Sequence, residues 1–122
     1  MLIIYHNPRC SKSRGALELA TQFATEHKLD LDIVDYQKTP LTLAQLKELH
    51  GLLQSEGPVS VRDMVRDNET IFTELKLDQA DDDTLLQALA THPVLLQRPI
   101  VQRDHRAIIA RPPERAAALL QD

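Results

Sequence analysis

The sequence predicts an α/β protein built on one mixed β-sheet, and three observations point to it. An apolar run, a helical pattern and a second apolar run follow one another within residues 2–36. Two more short apolar runs, at 99–102 and 107–110, are followed by another helical pattern. Between these halves, about 42–92, only helical spacing is found. The order is therefore β-α-β, a block of helices, then β-β-α.

Leu2-Ile3-Ile4-Tyr5 reads as a short buried strand. Pro8 fits a turn after it, because proline cannot sit in a central strand. Residues 12–27 read as a helix, with Ala16, Leu19, Ala20 and Phe23 at helical spacing. Gly15 costs that helix about 1 kcal/mol against alanine; close backbone approach and a tolerated first-turn glycine explain it equally well. Leu31, Ile33 and Tyr36 alternate with Asp32 and Asp35, so 31–36 is a second strand. Strand, helix and strand make a βαβ unit with an expected right-handed crossover.

Thr42-Leu43-Ala44-Gln45 has the form of a capping box, and Leu43, Leu46, Leu49 and Leu53 form a stripe, so 43–53 is a helix. Gly51 and Gly57-Pro58 mark its fraying end and a loop. Ser60 can cap a short helix at 61–67 with Val61, Met64 and Val65 on its apolar side. Residues 68–75 supply another helical turn or two. The acid run Asp81-Asp82-Asp83 reads as N-terminal charge for a helix at 84–91, stopped by His92-Pro93, and not as a metal site.

Residues 99–102 and 107–110 read as an antiparallel pair around a turn at 103–106. That turn has no glycine, so Asp104 or His105 must take its awkward dihedrals. Pro113 suits the first turn of a closing helix whose Ala116, Leu119 and Leu120 face the sheet. This is the thioredoxin-like arrangement in a single domain over 1–122, with an all-helical insertion at about 42–92.

Composition narrows the function. The formal charge of −4 argues against broad binding of nucleic acid or anionic membrane. No apolar run approaches a membrane span. The apolar start is too short for a signal peptide, and the expected location is the cytoplasm. One cysteine in 122 residues rules out an internal disulfide and any cysteine-rich metal cluster.

That one cysteine is the chemical focus. Cys10 is expected at or just before a helix N-terminus, where unpaired N–H groups and the positive dipole end favour an anion. Arg9, Lys12 and Arg14 add three cations within four residues of the sulfur. A helix N-terminus and adjacent cations are the conditions that lower a thiol pKa from about 8.5 to roughly 3.5–7.5. A lone cysteine is more often a small buried hydrophobe, but such a thiol has no use for three cations. The local chemistry reads as a thiolate beside an anion site.

Three further arginines, Arg66, Arg98 and Arg111, fall at predicted helix and strand ends on the Cys10 side. A guanidinium suits an oxyanion because its planar fork binds two oxygens and keeps its charge. In a thioredoxin-like fold, Arg98-Pro99 occupies the place of the cis-proline beside the active cysteine. A cis X–Pro bond can turn backbone toward a ligand.

With these motifs together, the chain resembles the glutaredoxin-coupled arsenate reductases of the thioredoxin superfamily, in wording closest to chromosomal members. The resemblance runs essentially end to end. It rests on Tyr5-His6-Asn7-Pro8-x-Cys10-x-x-Ser13-Arg14, Val61-Arg62-x-x-x-Arg66, Arg98-Pro99-Ile100-Val101 and Arg111-Pro112-x-Glu114. It implies Cys10 as the nucleophile that attacks arsenate and Arg66, Arg98 and Arg111 as the oxyanion clamp. It gives His6, Ser13 and Arg14 supporting roles. It further implies glutathione as co-substrate and glutaredoxin as partner, with no tightly bound cofactor and no metal. The cysteine count agrees independently, since a resolving thiol must come from outside the chain.

Two other functions compete. Cys10-Ser11-Lys12-Ser13 has the C-x-x-S form of a monothiol glutaredoxin, which implies a glutathione-linked oxidoreductase acting on mixed disulfides. A non-enzymatic redox regulator that binds RNA polymerase is the other, but such relatives often carry C-x-x-C, absent here. A cysteine phosphatase needs C-x5-R, and Ala16 stands where that arginine would be.

Overall fold

The computed structural model describes residues 1–7 and 10–120, and all of their side chains except those of Ser11 and Lys12. The turn expected at Pro8, the cation at Arg9 and the side chain of Lys12 therefore lie outside the described residues.

Strand β1 (Leu2–His6) runs parallel to β2 (Leu31–Asp35) and antiparallel to β3 (Ile100–Arg103), which pairs antiparallel with β4 (Arg106–Ile109). The sheet order is β2-β1-β3-β4. Helix α1 (Ser11–His27) connects the parallel pair. This is the mixed α/β, thioredoxin-like sheet expected from the sequence.

Side-chain alternation splits the sheet into two faces. Ile4, Val101 and Ile108 are neighbours on one face and pack against Ala16, Ala116 and Leu119. Tyr5, Ile100 and Ile109 are neighbours on the other and meet the helices that lie between β2 and β3. Those helices are α2 (Leu43–Leu53), α3 (Thr70–Glu74) and α4 (Asp82–Thr91). Their buried Leu46, Leu49, Leu53, Leu85 and Leu89 join Tyr36 and Ile100 in the larger core. Burying one such leucine is worth about 1.5–3 kcal/mol.

Several local expectations hold. Thr42 Oγ1 accepts from the Gln45 N–H at 3.1 Å while Gln45 Oε1 accepts from the Thr42 N–H at 2.9 Å, a complete capping box. The acid run stands at the N-terminus of α4 as expected, and its first member, Asp81, also caps the helix by accepting from the Thr84 N–H at 2.8 Å. Asp104 takes the left-handed conformation, φ 54°, in the hairpin turn. The Arg98–Pro99 bond is cis, and so is Arg111–Pro112. At Gly15 an added Cβ would stand 3.3 Å from Pro113 Cγ, so this glycine serves a close approach.

Other expectations need correction. Leu19 is 38% exposed, because the buried stripe of α1 runs through Ala16, Ala20, Phe23 and Ala24. Ile33 is 50% exposed, because β2 is an edge strand and α1 leans toward β1 and the C-terminal segment. Gly51 lies inside α2, and the chain turns at Gly57, φ 121°. Residues 61–67 are not a helix throughout. A 3₁₀ turn, Val61–Met64, stops because Val65 pairs with Leu96 in an antiparallel bridge. The closing segment is a 3₁₀ run, Pro113–Ala118, and not an α-helix. At three residues per turn, Ala116 and Leu119 stack on one side, and both are fully buried.

Candidate functional site

Strand direction brings the chemistry to one edge of the sheet. β1 and β2 end there, β3 begins there, and β4 ends there. Cys10 follows β1, Tyr36 follows β2, Arg98 precedes β3 and Arg111 follows β4.

Cys10 is the N-cap residue of α1, extended at φ −101° and ψ 122°, and half-buried. Its N–H donates to Asn7 O and its carbonyl accepts from the Arg14 N–H, both at 3.0 Å. The sulfur is therefore carried at a helix N-terminus, as the sequence predicts. Ser13, in the first turn of α1, and His6, at the end of β1, are buried at 0% and 7% exposure, whereas the Arg14 side chain is exposed. Burial pulls the His6 pKa below its usual 6.5, and Arg14 pushes the same way. Asp35 and the Ser13 backbone oppose that shift in part. The net effect favours the neutral imidazole.

Two of the three arginines meet at one carboxylate, and the third is tied to the same loop. The Val65–Leu96 bridge continues into hydrogen bonds from Arg66 N to Leu95 O and from Gln97 N to Met64 O, both 2.7 Å. Those bonds hold Arg66 beside the segment that ends in Arg98. Glu69 Oε1 sits between the two, 3.2 Å from Arg66 Nε and 3.9 Å from Arg98 Nη2. Arg98 Nη1 donates to Val94 O at 3.2 Å. Arg111 Nη1 donates to Arg98 O at 3.0 Å, tying the third guanidinium to the same loop. Singly, each arginine could be a solvated surface charge. Here the Arg66 and Arg98 side chains are only 14% and 11% exposed. Charges that far out of water need acceptors.

Two residues at this edge were not singled out from the sequence. Glu69 falls three residues after Arg66, a spacing that lets the pair meet, and that was its only signal. Tyr36 counted only as an apolar strand position. Burial raises its pKa while the Arg98 guanidinium facing it acts in the opposite sense, and Cys10 adds a smaller upward push.

Five buried side-chain polar atoms have no hydrogen-bond partner among the described residues: His6 Nδ1, Ser13 Oγ, Tyr36 Oη, Gln97 Oε1 and Arg98 Nε. All five lie at this end of the sheet. Among the described residues no group of His, Cys, Asp or Glu is placed to hold a metal ion. No helix among them is long and apolar enough to cross a membrane.

The model of the ArsC family matches residues 5–119. The chain belongs to the ArsC family. An arsenate reductase of Neisseria meningitidis is 43% identical over 119 residues, covering 96% of each chain. A solved arsenate reductase from Vibrio cholerae covers 96% of this chain and 95% of its own, at TM-score 0.83 and 37% identity. A solved structure from Yersinia pestis reaches TM-score 0.84 at 39% identity, covering 97% of this chain and 99% of its own. The ArsC match spans every residue of the site described above.

Proposed function

We propose that this protein is an arsenate reductase in which Cys10 is the nucleophile and Arg66, Arg98 and Arg111 bind the oxyanion. One observation supports the reading: the chain's single cysteine, at a helix N-terminus, shares a sheet edge with Arg66 and Arg98, which meet at Glu69, and with Arg111, which is bonded to the Arg98 carbonyl.

The Cys10 thiolate attacks arsenic, a sulfur–arsenic bond forms, and one oxygen leaves as water after protonation. The helix N-terminus and Arg14 favour the thiolate. The arginines draw charge from the oxygens that remain, where each guanidinium can bind two of them. His6, being neutral, and Ser13 help to hold the sulfur. Glutathione then adds its thiol to arsenic(V), and a second water leaves. A glutaredoxin thiolate attacks the glutathione sulfur, the electron pair of the arsenic–sulfur bond stays on arsenic, and a mixed disulfide forms. Hydrolysis frees arsenite and returns Cys10. Arsenic gains two electrons, and two external thiols are oxidised to one disulfide. No second cysteine exists in the chain to take either role.

The test is arsenite production by purified protein with glutathione and glutaredoxin added separately and together, beside a Cys10→Ser control. Turnover is expected only with both additions, and none from Cys10→Ser. Sustained turnover without glutaredoxin, or arsenate reduction surviving in Cys10→Ser, refutes the route. Turnover of a glutathionylated peptide but not of arsenate would move the reading to a mixed-disulfide oxidoreductase.

A further inference from the structure

Tyr36 presents an unusual combination. Its ring belongs to the core, at 1% exposure, packed in the same cluster as Leu46 and Ile100. Its hydroxyl is buried as well, yet finds no hydrogen-bond partner among the described residues. Tyr5, the other tyrosine, shows the ordinary case: its hydroxyl donates to Gln102 Oε1 at 3.0 Å. Buried hydroxyls are nearly always paired, so one that is not asks for a reason. Phenylalanine would fill the same core position without the orphaned atom.

The neighbours give the reason. Register places Tyr36 one residue beyond the His6–Asp35 pair, at the edge where Cys10 follows β1. The guanidinium of Arg98 faces the hydroxyl, and Cys10 lies within electrostatic reach. Arg98 Nε is itself buried and unpartnered. A guanidinium has only donors: it can aim an N–H at the hydroxyl oxygen, as the Gln37 side chain also can, but it cannot accept the Tyr36 proton. Two donors, one neutral and one cationic, thus stand at the sheet edge where Cys10 follows β1.

We propose that the Tyr36 hydroxyl is a substrate contact, donating a hydrogen bond to an oxygen of the bound oxyanion next to the one held by Arg98 Nε. The assignment rests on the oxyanion-reductase reading above and extends it by one residue. An oxyanion offers several acceptor oxygens, which is the chemistry both atoms lack. A phenol also adds what three arginines cannot: a neutral donor that takes up developing charge without adding to the electrostatic repulsion among the cations.

Tyr36→Phe removes the oxygen and keeps the ring. Three measurements are made on wild type and variant: kcat/KM for arsenate with glutathione and glutaredoxin, protection of Cys10 from alkylation by arsenate or phosphate, and thermal midpoint. The expected result is a fall in kcat/KM of about 10- to 150-fold, the value of one hydrogen bond to a charged oxygen. Protection should weaken in parallel, while the thermal midpoint stays level or rises because an unpaired buried hydroxyl is gone. The pH midpoint of Cys10 alkylation without oxyanion should not move. Equal kcat/KM and equal protection in the two proteins would overturn the proposal, as would a variant that loses stability but keeps activity. A raised alkylation midpoint would also overturn it, by placing the hydrogen bond on the sulfur. The wild type separates this proposal from the reading beneath it. Protection by phosphate and arsenate without turnover overturns arsenate reduction and leaves the hydroxyl testable by protection. No protection by either oxyanion overturns both.

Discussion

Replacing Arg98 by lysine keeps the charge and removes the fork, so it separates electrostatic attraction from directed hydrogen bonding. The structure supplies the magnitude. Arg98 uses its guanidinium in three directions: Nη1 donates to Val94 O at 3.2 Å, Nη2 lies 3.9 Å from Glu69, and Nε is buried without a partner. A lysine ammonium places all its donors at one point. It can reach Val94 O or Glu69, but it cannot also present a donor where Nε now stands. At least one hydrogen bond to a charged oxygen is then lost, about 1.5–3 kcal/mol. At about 1.4 kcal/mol per tenfold, kcat/KM for arsenate falls roughly 10- to 150-fold. The assay is arsenite production at saturating glutathione and glutaredoxin, with circular dichroism to show that the fold is retained. Arg98→Lys matching wild type in kcat/KM with an intact fold would refute the argument, since the fork would then be idle.

Two further predictions concern the groups around the arginines. Glu69→Gln keeps an acceptor for Arg66 Nε but removes the carboxylate between Arg66 and Arg98; phosphate should then inhibit at about 2- to 10-fold lower concentration, and unchanged or weaker inhibition would count against the carboxylate as a competitor for the clamp. For His6, burial lowers the folded-state pKa below 6.5, so the unfolded chain binds the proton more readily. Stability is therefore held above about pH 6.5 and lost as pH falls through that value toward the lower folded pKa. Urea midpoints at pH 7.5 and 5.5 should drop more for wild type than for His6→Asn, and equal drops would show that His6 does not titrate differently on folding.

What was legible in the sequence was local in origin. The Thr42 cap, the acid run at the start of α4 and the positive φ at Asp104 each follow from a few adjacent residues, whereas the cis Arg98–Pro99 bond follows from the place of that dipeptide in the fold. The positions of Cys10 and the three arginines at element ends were legible for the same reason. What was not legible depends on distant partners. The pattern at 61–67 reads as helix because nothing within it announces that Val65 will pair with Leu96. Ile33 fits a buried alternation, and only the strand order shows β2 to be an edge. Period-2 spacing correctly assigns Tyr36 to the interior but carries no information about the oxygen at the tip of its ring. Glu69 acquires its role only when Arg66 and Arg98 come together.

These differences bear on how the site is held. Tyr36, Arg98 and Arg111 each stand within two residues of a strand end, so sheet register sets their relative positions, while Cys10 is placed by the start of α1. Arg66 is different. It comes from the helical block between β2 and β3, and it reaches the edge through the Val65–Leu96 bridge and the two 2.7 Å bonds that flank it. Its geometry therefore depends on how Val61, Met64 and Val65 pack in the larger core, all of them buried. The helical block is both the second layer of that core and the source of one guanidinium and the Glu69 carboxylate. Core changes beneath Met64 should consequently move Arg66 relative to the other two arginines, whereas changes under α1 on the opposite face should leave that relation untouched.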